Sequence, residues 1–209
     1  MLPTDGDLAK RYTQLETERT SFLARAREVA TLTIPTLMPP EGHSGSSVYA
    51  TPYQSIGARG VNNLASKLLM TLLPPNSPFF RLTMDDFDLQ SLAGDDARGK
   101  VEEALARIER AAMQEVEATA VRVPVFEALK QLITAGNVLV HMPKDGGVRV
   151  FRLDRYVCQR DAMGNVLKII TKETVSPLML PEAVRELLTK PNEESQLKSV
   201  DLYTCVNRV

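Results

Sequence analysis

The 209-residue sequence contains no tryptophan, only two cysteines and only two histidines, and each scarcity removes a class of chemistry. Cys158 and Cys205 lack the paired spacing of a zinc site and cannot form a CxxC redox motif, so both are expected as buried or half-buried thiols of a reducing compartment. His43 lies in a Gly/Ser-rich stretch and His141 in an alternating apolar one, and no motif sets a nucleophile or carboxylate beside either. No uncharged apolar run reaches the roughly 18 residues of a membrane span. The opening residues MLPTDGDLAKRYTQ have neither the basic nor the apolar region of a secretion signal. Charge of one sign is missing too: 25 Lys+Arg against 26 Asp+Glu leave a formal net charge of -1, which gives no overall basic field for nucleic acid or anionic lipid.

The remaining chemical candidates have structural explanations. The pairs Asp85-Asp86 and Asp95-Asp96 suit helix N-termini, where a carboxylate accepts free amides and faces the positive end of the helix, better than they suit a metal. Gly57 and Gly60 match neither GxGxxG nor GxxxxGK[ST] and follow no strand, so close helix packing is expected of them. The sequence therefore assigns no catalytic residue, no cofactor and no metal ligand.

What is present is a core, since hydrophobic residues make up 44% of the chain. Leu8, Tyr12, Leu15, Phe22, Ala26 and Val29 recur at helical spacing and predict one long helix from Asp7 to about Leu32. Prolines in Leu32–Pro40 end it, and Glu41 to Gln54 reads as a loop. Ser55 is the expected cap of a second helix with Val61, Leu64, Ala65, Leu68, Leu69 and Leu72 on one face, closed by Pro74-Pro75. Phe79–Met84 reads as a short strand, and Asp85 or Asp86 as the start of a weak helical turn. A helix over about Ala97 to Thr119 comes next. Pro124 fits the first turn of a further helix that Gly136 stops. The period then changes to alternation: Val138–Met142, Val148–Leu153, Tyr156–Arg160 and Val166–Val175 read as strands, joined by Lys144–Gly147 and Asp161–Asn165 as hairpin turns. A short helix over Pro181 to Leu188 and a last strand over Val200 to Val206 complete the chain. This is an α+β protein, helical over 1–136 and rich in antiparallel sheet over 137–209, read as a single region without repeat or linker. The last strand has no turn or partner after it, which suggests a truncated chain unless it pairs backward.

Two surfaces attract attention. Arg59, Asn62, Asn63, Ser66 and Lys67 share one face of the second helix. A solvated face is the simple reading, but adjacent asparagines are poor helix formers, and their presence points to hydrogen bonding with a neighbouring subunit. Charge is also uneven: Arg81 to Ala120 has five basic and ten acidic residues, and Val121 to Val175 nine basic and five acidic. Arg149, Arg152, Arg155, Arg160, Lys168 and Lys172 make the sheet half mildly basic, either as outward positions of a sheet or as a weak DNA contact, for which Arg149, Arg152, Arg155 and Arg160 are the candidates.

The segments Thr33-Ile-Pro-Thr-Leu-Met-Pro39, Tyr49-Ala-Thr-Pro-Tyr-Gln54 and Gly57-Ala-Arg-Gly-Val-Asn-Asn-Leu-Ala-Ser-Lys-Leu68 resemble the opening of the portal protein, or head-to-tail connector, of short-tailed, podovirus-type bacteriophages. Phe126–Leu132 with Ala135–Leu139, and Gln159–Val166, resemble the same family in the same order. The family often has tryptophan near the positions of Tyr53 and Phe79-Phe80, where this chain has none. The resemblance implies the first part of the wing of a dodecameric ring, with stem, clip and crown in later sequence. It implies a virion component at the portal vertex between head and tail, assembled in the host bacterial cytoplasm, away from membranes. The implied partners are further copies of itself, the terminase motor, tail adaptor and major capsid or scaffolding proteins, and double-stranded DNA passing through during packaging and ejection. A helical adaptor joining virion components, and a nucleic-acid-modifying enzyme, are the competing readings.

Overall fold

The computed structural model describes residues 5–43, 46–49, 52–75, 77–84, 95–144, 146–182, 184–185 and 199–208. The architecture is α+β, with five α-helices among the described residues before antiparallel strands. The first helical stretch is two helices, α1 (Asp5–Glu18) and α2 (Thr20–Leu32), and not the expected single one. At Arg19 the backbone leaves helical geometry, with φ -109° and ψ 14°. Local hydroxyls stabilise the break, since Thr20 Oγ1 donates to the Thr17 carbonyl at 2.8 Å. Its consequence is in packing: Tyr12 and Leu15 of α1 join Val157 and Ile170 in one core cluster, while Leu23, Ala26 and Ala30 of α2 join Met38, Ala135, Phe151, Leu153 and Tyr156 in another. A straight helix presents one apolar stripe, and here two separate cores need two directions.

After α2 a 3-10 turn, Pro35–Leu37, carries Leu37 and Met38 into the interior. Helix α3 (Ile56–Leu72) follows, and it buries Val61 and Ala65. Ser55 occupies the position before it but makes no side-chain cap, contrary to expectation; its carbonyl instead accepts the Arg59 amide at 2.9 Å. Gly57 is where close packing occurs. A Cβ there would lie 2.5 Å from the Leu32 carbonyl oxygen, so only glycine lets α3 start against the end of α2. Gly60 has open space around it, so the packing role expected of it is absent.

Residues 79–84 form no strand. An alternating pattern needs another strand to pair with, and the neighbour here is helix α4 (Asp95–Ala118), whose Glu109 carboxylate accepts the Leu82 amide at 2.6 Å. None of residues 98–118 is buried. Asp85-Asp86, with the helical turn expected there, falls outside the described residues, as do the side chains of Asp95 and Asp96.

Helix α5 (Arg122–Ala135) has Pro124 in its first turn, where the missing amide costs no helical hydrogen bond, and it ends at Gly136 with φ 72°. The Gly136 amide closes the helix on the Leu132 carbonyl at 2.8 Å. This helix is central, buries Ala128, Leu129 and Ala135, and touches α2 and α3.

The strands among the described residues are β1 (Leu139–His141), β2 (Arg149–Phe151), β3 (Tyr156–Arg160), β4 (Val166–Val175) and β5 (Val200–Asn207). They form two sheets: β1 pairs antiparallel with β2, and the order β3-β4-β5 makes the second, also antiparallel. The division falls at a 3-10 turn, Leu153–Arg155, which turns Leu153 inward and cuts short the strand expected to end there. The last strand pairs backward on β4 along its length, from Lys168↔Asn207 to Val175↔Val200. Of the helix expected over Pro181 to Leu188, residues 183 and 186–188 lie outside the described set.

Candidate functional site

Helix α3 presents the polar stripe as expected from its spacing. Arg59, Asn62, Asn63, Ser66 and Lys67 are all exposed, on the side away from buried Val61 and Ala65. Ser66 Oγ donates to the Asn62 carbonyl at 2.8 Å, which is helix-internal. The stripe is bordered by apolar side chains that the chain leaves uncovered: Leu64 is 48% exposed, Met70 57% and Leu72 53%. A face that mixes exposed amides, cations and leucines has the composition of a protein contact. The far end of α3 is held by Arg122, whose Nε and Nη2 donate to the carbonyls of Leu73 and Pro74 at 3.2 and 2.9 Å. Sequence reading missed this clasp because its partners lie nearly fifty positions apart.

The basic residues of the sheet half divide between two places. Arg149, Arg152 and Arg155 gather with Lys172 around an open hollow of about 360 Å³. Each has an acidic partner: Arg149 Nη2 lies 2.6 Å from Glu173 Oε1, Arg152 Nη2 3.2 Å and Arg155 Nε 3.9 Å from Asp154 Oδ2, and Lys172 Nζ 2.9 Å from Asp201 Oδ2. The hydrogen bond that Lys172 donates to Asp201 raises the ammonium above its ordinary pKa. Burial works to raise Asp201, but the hydrogen bonds from Lys172 and Thr174 outweigh it and hold this carboxyl below its ordinary value. Four cations thus meet three carboxylates, and the hollow offers a duplex little uncompensated charge.

Arg160 is elsewhere. It lies at the β3 bulge, its Nη1 donates to the Gly164 carbonyl at 2.9 Å, and it lines a different cavity together with Arg19. The hairpin it borders is fixed by Asp161, whose Oδ1 accepts the amides of Met163 and Asn165 at 2.9 and 2.7 Å. The Asn165 side-chain amide, first among these donors, lowers the Asp161 pKa. Tyr12, from the core cluster it shares with Leu15, Val157 and Ile170, donates its hydroxyl to the Asp154 carbonyl at 3.0 Å. Burial pushes that phenol well above its ordinary range.

His43 and Tyr49 are paired, with ring centroids 5.1 Å apart and the phenol oxygen 2.9 Å from Nε2. His141 is exposed on β1. Cys158 and Cys205 are both free and half-buried, as expected. Among the described residues no group of three or more His, Cys, Asp and Glu is placed to hold a metal, and no helix is long and apolar enough to cross a membrane.

Residues 5–208 match the family described as bacteriophage head to tail connecting protein. The portal protein of Enterobacteria phage T3 is 43% identical over 211 residues, covering 98% of this chain and 39% of that protein. The portal protein of Escherichia phage T7 is 40% identical over 200 residues, covering 92% of this chain and 37% of its own length. That of Enterobacteria phage SP6 is 30% identical over 204 residues, covering 94% and 39%. The chain thus spans about two fifths of the length of the curated relatives it matches.

Proposed function

This chain belongs to the bacteriophage head-to-tail connecting protein family, and on that premise we propose that it forms the first part of the wing of a ring joining head to tail, through which double-stranded DNA is packaged and ejected. The observation that carries this reading is the family match across residues 5–208 together with 43% identity to a portal protein over nearly the whole chain. The role is structural and not enzymatic. Further copies of the chain, twelve by the family resemblance, build the ring; the terminase motor, a tail adaptor and capsid or scaffolding proteins dock on it at the portal vertex.

Two structural features support the reading. A ring needs two different surfaces on each subunit that fit one another around the circle, and the chain leaves open the polar face of α3 and residues 98–118 of α4, none of which is buried. Its open face on α3 carries Arg59 and Lys67 without an acidic residue, whereas α4 has seven acidic and four basic residues. A conduit must also let DNA slide, and each persistent phosphate contact adds affinity that opposes sliding. The pairing of Arg149, Arg152, Arg155 and Lys172 with carboxylates keeps such contacts few.

The competing reading, a helical adaptor joining virion components, predicts no closed ring. Negative-stain imaging of the protein that carries this sequence separates the two. Rings with a central opening are expected, and monomers or open chains of subunits would favour the adaptor.

A further inference from the structure

Among the arginines and lysines of the sheet half, those around the hollow are paired with carboxylates, but a second cavity, also about 360 Å³, has two arginines and no acidic residue in its wall. Arg19 enters it from the break between α1 and α2, and Arg160 from the β3 bulge. Nε and Nη2 of Arg19 are buried and have no hydrogen-bond partner among the described residues. The guanidinium lies over the Tyr156 ring, 5.8 Å from its centroid, which screens it from water without supplying an acceptor. Arg19 itself is half-buried, but buried donors left unused on a cation are costly unless something completes them. Phe22, Leu139 and Ile169 make much of the remaining wall, and Asn137 adds a side-chain amide of the kind that pairs with a peptide group.

We propose that this cavity binds a peptide carboxylate: a glutamate or aspartate side chain, next to an apolar residue, inserted from another polypeptide. The two guanidinium groups suit the carboxylate, since each presents parallel N–H donors to two oxygens. The apolar wall suits the hydrocarbon stem and a flanking leucine-like side chain, and it disfavours a free phosphate, which has four polar oxygens to satisfy. The site stands on its own geometry and does not depend on the ring.

Cys158 lines the same cavity and supplies a reporter. In a Cys205→Ser background the rate of Cys158 alkylation by iodoacetamide is followed while acetyl-Leu-Glu-Leu-amide is titrated. Saturable slowing of the reaction is expected, with none from the glutamine counterpart of the peptide. Arg19→Gln should weaken the apparent affinity about tenfold or more. Arg160→Gln, at an exposed position whose loss leaves the core intact, should also weaken it, and unchanged melting temperatures show that both variants fold. Equal protection by the glutamine peptide would reduce the cavity to an apolar slot, and equal protection by inorganic phosphate would make it a general anion site. Either outcome, or failure of the glutamate peptide to protect at all, overturns the proposal.

Discussion

The carbonyl oxygen of Leu32 lies where a side chain on Gly57 would begin: a Cβ at that position would stand 2.5 Å away. The end of α2 and the start of α3 are in backbone contact, and the contact sets the angle at which α3 presents its polar stripe. Gly57→Ala must push the helices apart or distort α3, and a loss of about 1–3 kcal/mol is expected, in the range of overpacked cores. Gly60→Ala, one turn along with nothing within 4 Å, should be neutral or stabilise by up to about 1 kcal/mol through helix propensity. Urea unfolding of both variants checks the contrast.

The outer strand pair has a pH dependence whose sign follows from Asp201 and Lys172. Asp201 titrates below its ordinary value in the folded protein, so its contribution is present above that value and is lost as the pH falls through the folded one. Lys172 titrates above its ordinary value, so its contribution is present at neutral pH and lost only as strongly alkaline pH passes the raised value. Both side chains are partly exposed, which keeps the effect small. Asp201→Asn is expected to lower the melting temperature at pH 7 by no more than about 2–4 °C. That difference should shrink in acid below the ordinary carboxylate range, as thermal unfolding in paired buffers will show.

The stripe on α3 is expected to take part in the contact between subunits. Arg59→Glu combined with Asn62→Ala and Asn63→Ala changes only exposed positions, so the melting temperature should hold while ring yield falls. Analytical ultracentrifugation of the triple variant of the ring-forming protein reads both species, and normal ring yield would return the stripe to solvated surface.

Much of this was legible from spacing, and the failures share a cause. The strands β3 and β4 and the stop at Gly136 appear where alternation, turn residues and a lone glycine place them, because these signals are local. The break at Arg19 is not legible, since Leu15 and Phe22 flanking it keep the same helical phase; the reason for it is two core clusters on either side. Residues 79–84 alternate like a strand but lie along a helix, and no property of the segment itself reveals its neighbour. The basic bias of the sheet half grouped Arg160 with Arg149, Arg152 and Arg155, whereas the fold sends it to Arg19, a residue 141 positions away. The candidate sites were thus only half readable: the α3 stripe lies on one helix and the cations of the hollow on neighbouring segments, whereas the second cavity joins Arg19 to Arg160.

DNA should associate with the chain weakly, without sequence preference, and lose its hold near physiological salt, because the arginines of the hollow are engaged by Glu173 and Asp154. Glu173→Gln frees Arg149 and is expected to strengthen low-salt binding. Fluorescence anisotropy with two unrelated duplexes at two salt concentrations tests this. Sub-micromolar binding that survives physiological salt, or a preference between the duplexes, would mean that this region grips DNA.

The position of the chain in the virion tests the central claim most directly. Antibody fragments raised against it, bound to particles of the phage that encodes it and imaged by cryo-electron microscopy after the tail is detached, should mark a single vertex, the one where head meets tail. Label spread over the capsid shell, or found only along the tail, would contradict a connector.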